Sequence, residues 1–106
     1  MEHVYKKNIC INCGCIEDVN KLKLKKGLVF TDGFSFLGNE MRKKEITSIE
    51  GDFISYNDIT IDVGRNLVYT MPKKSPKSEI LEKFKEKKYV LYKYFIGEKR
   101  AKAFKN

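Results

Sequence analysis

The chain has 106 residues, 42% of them hydrophobic and 34% charged, and its 22 Lys and Arg against 14 Asp and Glu give a formal net charge of +8. A chain of this length and composition builds one compact domain around one core, which excludes multi-domain enzymes and a disordered polymer. The longest apolar stretch, residues 89–96, is interrupted by Lys93 and falls well short of the ~20 apolar residues that span a bilayer. The N-terminal MEHVYKKNICINCGC has no apolar signal-peptide core, so the expected location is the reducing cytoplasm, with thiols free or metal-bound.

Taken in chain order, the first feature is Cys10-Ile11-Asn12-Cys13-Gly14-Cys15, three thiols in six residues. Cys-x-x-Cys followed by Gly has the shape of a zinc knuckle, in which a tight turn aims both sulfurs at one ion and Gly relieves the backbone. It resembles half of a zinc ribbon, but the second Cys-x-x-Cys of a ribbon is absent from the rest of the chain. Zinc needs four ligands, so Cys15 is the candidate third and His3 the candidate fourth, giving Cys₃His; alternatively two chains share a site in a homodimer. Three reduced cysteines on a turn is the plain alternative, and a redox role lacks the usual strand-then-helix setting.

From residue 21 onward the pattern is mainly β. Lys21-Leu22-Lys23-Leu24-Lys25 alternates charged and apolar residues, the period of a strand with one wet face. Leu28 to Thr31 and Phe34 to Leu37 flank Asp32-Gly33, a type I′ hairpin signal. Further strands are expected at Met41 to Ile46, Phe53 to Tyr56, Ile59 to Val63 and Leu67 to Met71. The turns between them are Gly51-Asp52, Asn57-Asp58 and Gly64-Arg65-Asn66. About seven short antiparallel strands at this spacing make a bent barrel or sandwich. A helix over 76–88 follows, with Ser75 as N-cap, Pro76 at the first helical position and Glu79 in the first turn. Its Ile80, Leu81 and Phe84 form one apolar stripe, so it caps the open end of the barrel. Beyond it, YVLYKYFI and KRAKAF are compatible with either a hairpin or continued helix. The expected fold class is therefore α+β, organised as a Cys-rich knuckle (1–20), a β-rich domain with its helix (21–88) and a basic, aromatic extension (89–106).

Charge is unevenly spread. Residues 1–72 hold ten basic and ten acidic groups, whereas residues 73–106 hold twelve basic groups against four acidic ones. The whole net charge thus belongs to the last third, where Tyr and Phe are interleaved with the cations, a combination that suits phosphates and unstacked bases. The candidate nucleic-acid contacts are Lys73, Lys74, Lys77, Lys83, Lys85, Lys87, Lys88, Tyr92, Lys93, Lys99, Arg100 and Lys102. Catalysis is not expected. His3 is the sole histidine and lies at a chain end, no phosphate-cradling glycine loop occurs, and Asp58, Asp62 and Glu86-x-Lys88 read as turn and surface groups.

Residues 21–88 resemble a bacterial pleckstrin-homology-like domain of the GRAM type. The resemblance is carried by LKLKKGLVFTDGFSFLG as opening hairpins, KKEITSIEG as a strand with an Ile-x-x-Ile-Glu ending, ITIDVGRNLVYTM as a late hairpin and SEILEKFKEKK as a helix. It implies a seven-stranded bent barrel capped by one helix and used for binding. Residues 46–96 also resemble the LytTR type of DNA-binding domain through Ile46, Ile49 and Glu50. That family's His-Arg-Ser and Val-Asn pattern is replaced here by Leu91-Tyr92-Lys93 and Phe95-Ile96-Gly97, so no base-reading residue carries over. The leading expectation is a non-catalytic nucleic-acid-binding protein with zinc in its knuckle. A protein-interaction module with a merely solvated basic segment, and binding to an anionic membrane surface, are the alternatives.

Overall fold

The computed structural model describes residues 3–32, 34, 35 and 40–94. In chain order the elements are β1 (Tyr5–Lys6), β2 (Ile9–Cys10), a 3₁₀ turn (Val19–Lys21), β3 (Val29–Thr31), β4 (Phe34–Ser35), β5 (Glu40–Glu50), β6 (Phe53–Asp62), β7 (Leu67–Pro76), α1 (Lys77–Lys85) and β8 (Val90–Leu91). β1 and β2 form a small hairpin of their own. The main antiparallel sheet runs β7-β6-β5-β3-β8, with β4 also on β5. The class is α+β and mainly β, as the turn spacing implied, but the sheet path is open rather than closed into a barrel. No helix among the described residues is long and apolar enough to cross a membrane.

Four local expectations are corrected. Residues 22–25 join no ladder, although Leu22 and Leu24 do turn inward onto the core and the lysines outward; the alternation reported burial, not strand pairing. β3 and β4 do not pair across Asp32-Gly33, of which Gly33 lies outside the described residues. Both pair with β5, Phe30 opposite Lys44 and Phe34 opposite Met41, so their register on β5 steps by one residue between them. Asn57-Asp58 is no turn, because β6 runs unbroken from Phe53 to Asp62 with β5 and β7 bonded on either side. Ser75 is not the helix cap. It lies within β7 opposite Ile54, its hydroxyl lies 3.1 Å from the Tyr56 hydroxyl, and Pro76, the last residue of β7, is the N-cap, so the helix starts at Lys77 and not at Pro76.

Other expectations hold. Gly51-Asp52 is the two-residue turn of the β5–β6 hairpin, with Gly51 at φ +62°. α1 keeps Glu79 in its first turn and Lys83 and Lys85 in its last, both favourable to the helix dipole. Its end is a Schellman motif. Lys87 takes a left-handed φ of 61°, its N–H donates to Phe84 O, and the Lys88 N–H donates to Lys83 O. After β8, residues 92–94 turn helical; residues 95–106, on which the choice between hairpin and helix also rested, lie outside the described residues.

The core gathers one face of the sheet under α1. Phe30, Ile46, Ile54, Ile80 and Phe84 are essentially without solvent contact, and Ile16, Tyr56, Tyr89 and Leu91 complete the cluster. Phe30 sits at its centre, with ring centroids 4.9 Å from Tyr89, 5.4 Å from Phe84 and 6.1 Å from Tyr56. Thus the knuckle's Ile16 and the 89–91 segment share one core with the sheet. The distal half of β6–β7 projects past this core, leaving Val63, Leu67, Val68, Tyr69 and Met71 exposed. Phe30→Ala should therefore destabilise the protein by about 3–5 kcal/mol in urea unfolding, against less than ~0.5 kcal/mol for Val63→Ala on the projecting arm.

Candidate metal centre

The β1–β2 hairpin turns through Lys7 and Asn8, both at positive φ (51° and 74°), the backbone that a two-residue type I′ turn demands. Asn8 then ties down the chain beyond the cysteines. Its amide donates to Asp18 O at 2.8 Å, its Oδ1 accepts from the Asp18 N–H at 2.7 Å, and its carbonyl accepts from the Glu17 N–H. Between these anchors the cysteine loop closes on itself, with Gly14 N–H donating to Cys10 O and Cys10 N–H to Cys15 O.

This folding brings His3, Cys10, Cys13 and Cys15 together, with their ligand atoms all within 4.8 Å of one another. His3 Nδ1 lies 3.4 Å from Cys10 Sγ, 3.5 Å from Cys13 Sγ and 3.4 Å from Cys15 Sγ. One imidazole nitrogen carries at most one proton and cannot hydrogen-bond three sulfurs at once. The spacing is instead that of a coordination shell: tetrahedral zinc with ordinary Zn–S and Zn–N bonds has S···N edges of ~3.6 Å. Three thiolates and an imidazole are the donor set of a structural zinc site with no position left for substrate. All four expected ligands therefore come from one chain, and no second chain is needed to complete the set.

The electrostatics match. Burial pushes the Cys10 thiol up, but hydrogen bonds from His3 and from the Asn12, Cys13 and Val4 backbone outweigh it and bring its pKa down to about 6. For Cys13, burial dominates; a backbone hydrogen bond at Cys15 opposes it, the Cys15 and Cys10 side chains add to it, and the pKa rises to about 12. One thiol is thus ready to bind a cation at neutral pH and another gives up its proton only when a cation arrives. Sequence reading did not single out Tyr5. Its hydroxyl lies 3.4 Å from Cys15 Sγ, and that hydrogen bond, then burial and the thiolate charges, raise its pKa to about 12. Its ring also stacks on His3, 5.7 Å between centroids, which orients the imidazole. The two-residue spacing from His3 is the only sequence signal for Tyr5.

The knuckle is fastened to the sheet. Leu91 N–H donates to Gly14 O at 2.8 Å, and a Cβ on Gly14, whose φ is +82°, would stand 2.4 Å from Leu91 O. Gly14 therefore does more than relieve the cysteine turn: it lets the metal loop lie directly against β8. The Lys87 ammonium adds a second link by donating to Ile16 O, and it sits 5.9 Å from the Tyr5 ring centroid.

The candidate nucleic-acid residues are more dispersed. Lys73 pairs with Asp58, Lys74 with Glu50, Lys83 with Glu79 and Lys88 with Glu86, at 3.1–3.8 Å. Lys77 and Lys85 are exposed on α1, and Lys87 serves the knuckle. Tyr92 and Lys93 follow β8 and line an open, mainly apolar groove together with Lys43 and Tyr94. Lys99, Arg100 and Lys102 lie outside the described residues. Asp58 and Asp62 do share a face of β6, where Asp58 binds Lys44 and Lys73 and Asp62 binds Arg65. No family model, curated protein or solved structure matches this chain.

Two outcomes follow from this geometry. Zinc should bind at one per chain, with affinity rising with pH across the neutral range. Calorimetry at pH 7 in buffers of different ionisation enthalpy should show net proton release on binding, because Cys13 holds its proton until the metal displaces it. Gly14→Ala should retain zinc binding but lose about 2 kcal/mol or more of stability in denaturant titration, since the methyl group collides with β8 backbone.

Proposed function

We propose that this chain is a small non-catalytic domain that binds single-stranded nucleic acid, with zinc serving only to hold its N-terminal knuckle in place. The observation that supports the reading is the groove beside β8, where Lys43 of β5 meets the consecutive residues Tyr92, Lys93 and Tyr94. The Lys43 ammonium lies 5.5 Å from the Tyr92 ring centroid and the Lys93 ammonium 5.9 Å from that of Tyr94. Aromatic faces bordered by cations suit unpaired bases, which stack, and their phosphates, which seek positive charge. The ion pairs of Lys73, Lys74, Lys83 and Lys88 move the weight of the interface away from α1 and β7 and towards this groove. Lys99, Arg100 and Lys102 follow it in sequence.

Fluorescence anisotropy with a labelled single-stranded homopolymer tests this. Binding should weaken steeply between low and moderate salt, and Lys93→Ala should reduce the slope of log K against log salt by about 0.7, one single-strand phosphate contact. Tyr92→Ala should lower affinity roughly tenfold or more through lost stacking. Affinity that stays flat with salt, or that ignores both substitutions, rejects the reading. The competing idea of a protein-interaction module draws on a different surface, the exposed edge of β7.

A further inference from the structure

We propose that two copies of this chain pair through the outer edge of β7, strand against strand across a two-fold axis. β7 is the last strand in the sheet order, bonded to β6 on one side and to no strand on the other among the described residues. Which of its amides face outward follows from the pairing. The Lys77 N–H, continuing the strand, donates to Asp52 O next to the start of β6. In an antiparallel ladder alternate residues turn both N–H and C=O to the same side, so odd-numbered residues of β7 bond to β6 and even-numbered ones face out. The two prolines agree with this parity, because residues 72 and 76 have no N–H to give and both fall on the outward set. Outward donors are therefore present at Val68 and Thr70 and missing at 72, which confines strand addition to residues 67–71.

Charge selects the occupant. The chain carries +8, so a second copy is repelled over most of the surface. Residues 66–72, Asn-Leu-Val-Tyr-Thr-Met-Pro, are seven in a row without a charge, and the cations at their two ends are already engaged: Arg65 with Asp62 and Lys73 with Asp58. Edge strands are commonly defended by lysines and prolines; on β7 that defence stands only at its C-terminal end. The open window is neutral, apolar and self-complementary. With Val68 of one copy opposite Thr70 of the other, each pair exchanges two main-chain hydrogen bonds, and the two-fold axis repeats the arrangement. In this register the exposed Tyr69 (53%) meets its counterpart on the axis, and the exposed Met71 (61%) faces Leu67 (44%) of the other copy. So short a window buries less than the ~1,200 Å² of a standard interface, which makes the dimer reversible.

Sedimentation velocity on the full, zinc-loaded chain tests the proposal, from a few micromolar to several hundred micromolar, the range of a reversible dimer of this size (about 1–100 μM). Wild type should shift from monomer to dimer across that range. Thr70→Pro removes one outward N–H and no bond to β6, so it should abolish the shift while keeping the far-UV spectrum and cooperative unfolding; Thr70→Val should dimerise normally. Val68→Lys, which places like charges across the axis, should weaken dimerisation about tenfold and recover in part at high salt. A monomer at every concentration overturns the proposal, as does unchanged dimerisation of Thr70→Pro. A dimer lost on chelation but unaffected by these substitutions would place the interface at the knuckle and overturn it equally.

Discussion

The fold depends on a main-chain contact between the cysteine loop and the last described strand. Gly14 lies between two metal ligands, and its carbonyl takes the Leu91 N–H with no room for a side chain between the backbones. Through that contact the position of the metal site becomes a property of the sheet. Leu91 pairs with Phe30, and Phe30 is the hub around which Tyr56, Phe84 and Tyr89 arrange their rings. The knuckle in turn delivers Ile16 to the same cluster. A loop with only two short strands has little packing of its own to hold three sulfurs and an imidazole in one place; a bound metal ion would supply that constraint, and the sheet supplies the orientation.

Electrostatics is organised more locally than the net charge suggests. Lys44 is buried in the sheet with its ammonium 3.3 Å from Asp58 and 3.6 Å from Asp32, and 5.9 Å from the Tyr89 ring centroid. Two carboxylates and an aromatic face compensate a cation that would otherwise be costly to bury. Asp58 also accepts Lys73 from β7, so one acidic residue of the middle strand holds cations from both neighbours. The same pairing explains why the described part of the basic C-terminal third is no uniform basic face. Its described lysines are distributed among the sheet edge, the helix, the knuckle and the groove beside β8, each with different neighbours.

The projecting arm of β6 and β7 has a different physical character. Within the core region β6 alternates buried and half-buried residues, but beyond Tyr56 no helix among the described residues covers the sheet, and β7 is exposed along nearly all its length. Here β6 is held between the ladders of β5 and β7, and β7 itself more by its ladder to β6 than by burial. Its neutral stretch is thus available for contacts that the compact part of the molecule already satisfies internally.

How much of this was legible in the sequence divides along the range of the interactions. Turn chemistry identified Gly51-Asp52, period-two alternation identified the inward leucines 22 and 24, and Glu79 with the Ile80 and Phe84 stripe identified the helix. Cys-x-x-Cys-Gly with His3 picked out the four residues whose ligand atoms the fold brings within 4.8 Å of one another, because ligand chemistry restricts the choice so tightly. Each of these depends on residues close together in the chain or on a donor set too small to admit alternatives. The pairing of β3 and β4 with β5 instead of with each other, the unbroken course of β6 through Asn57-Asp58, and the loss of Ser75 from the helix cap to Tyr56 required tertiary structure. In every case a distant strand outbid a local preference, since a ladder bonded on both sides satisfies more backbone than a turn or a cap. Only the folded chain sets Gly14 against Leu91 and Lys43 beside Tyr92, because nothing in the spacing of residues so far apart records that they meet.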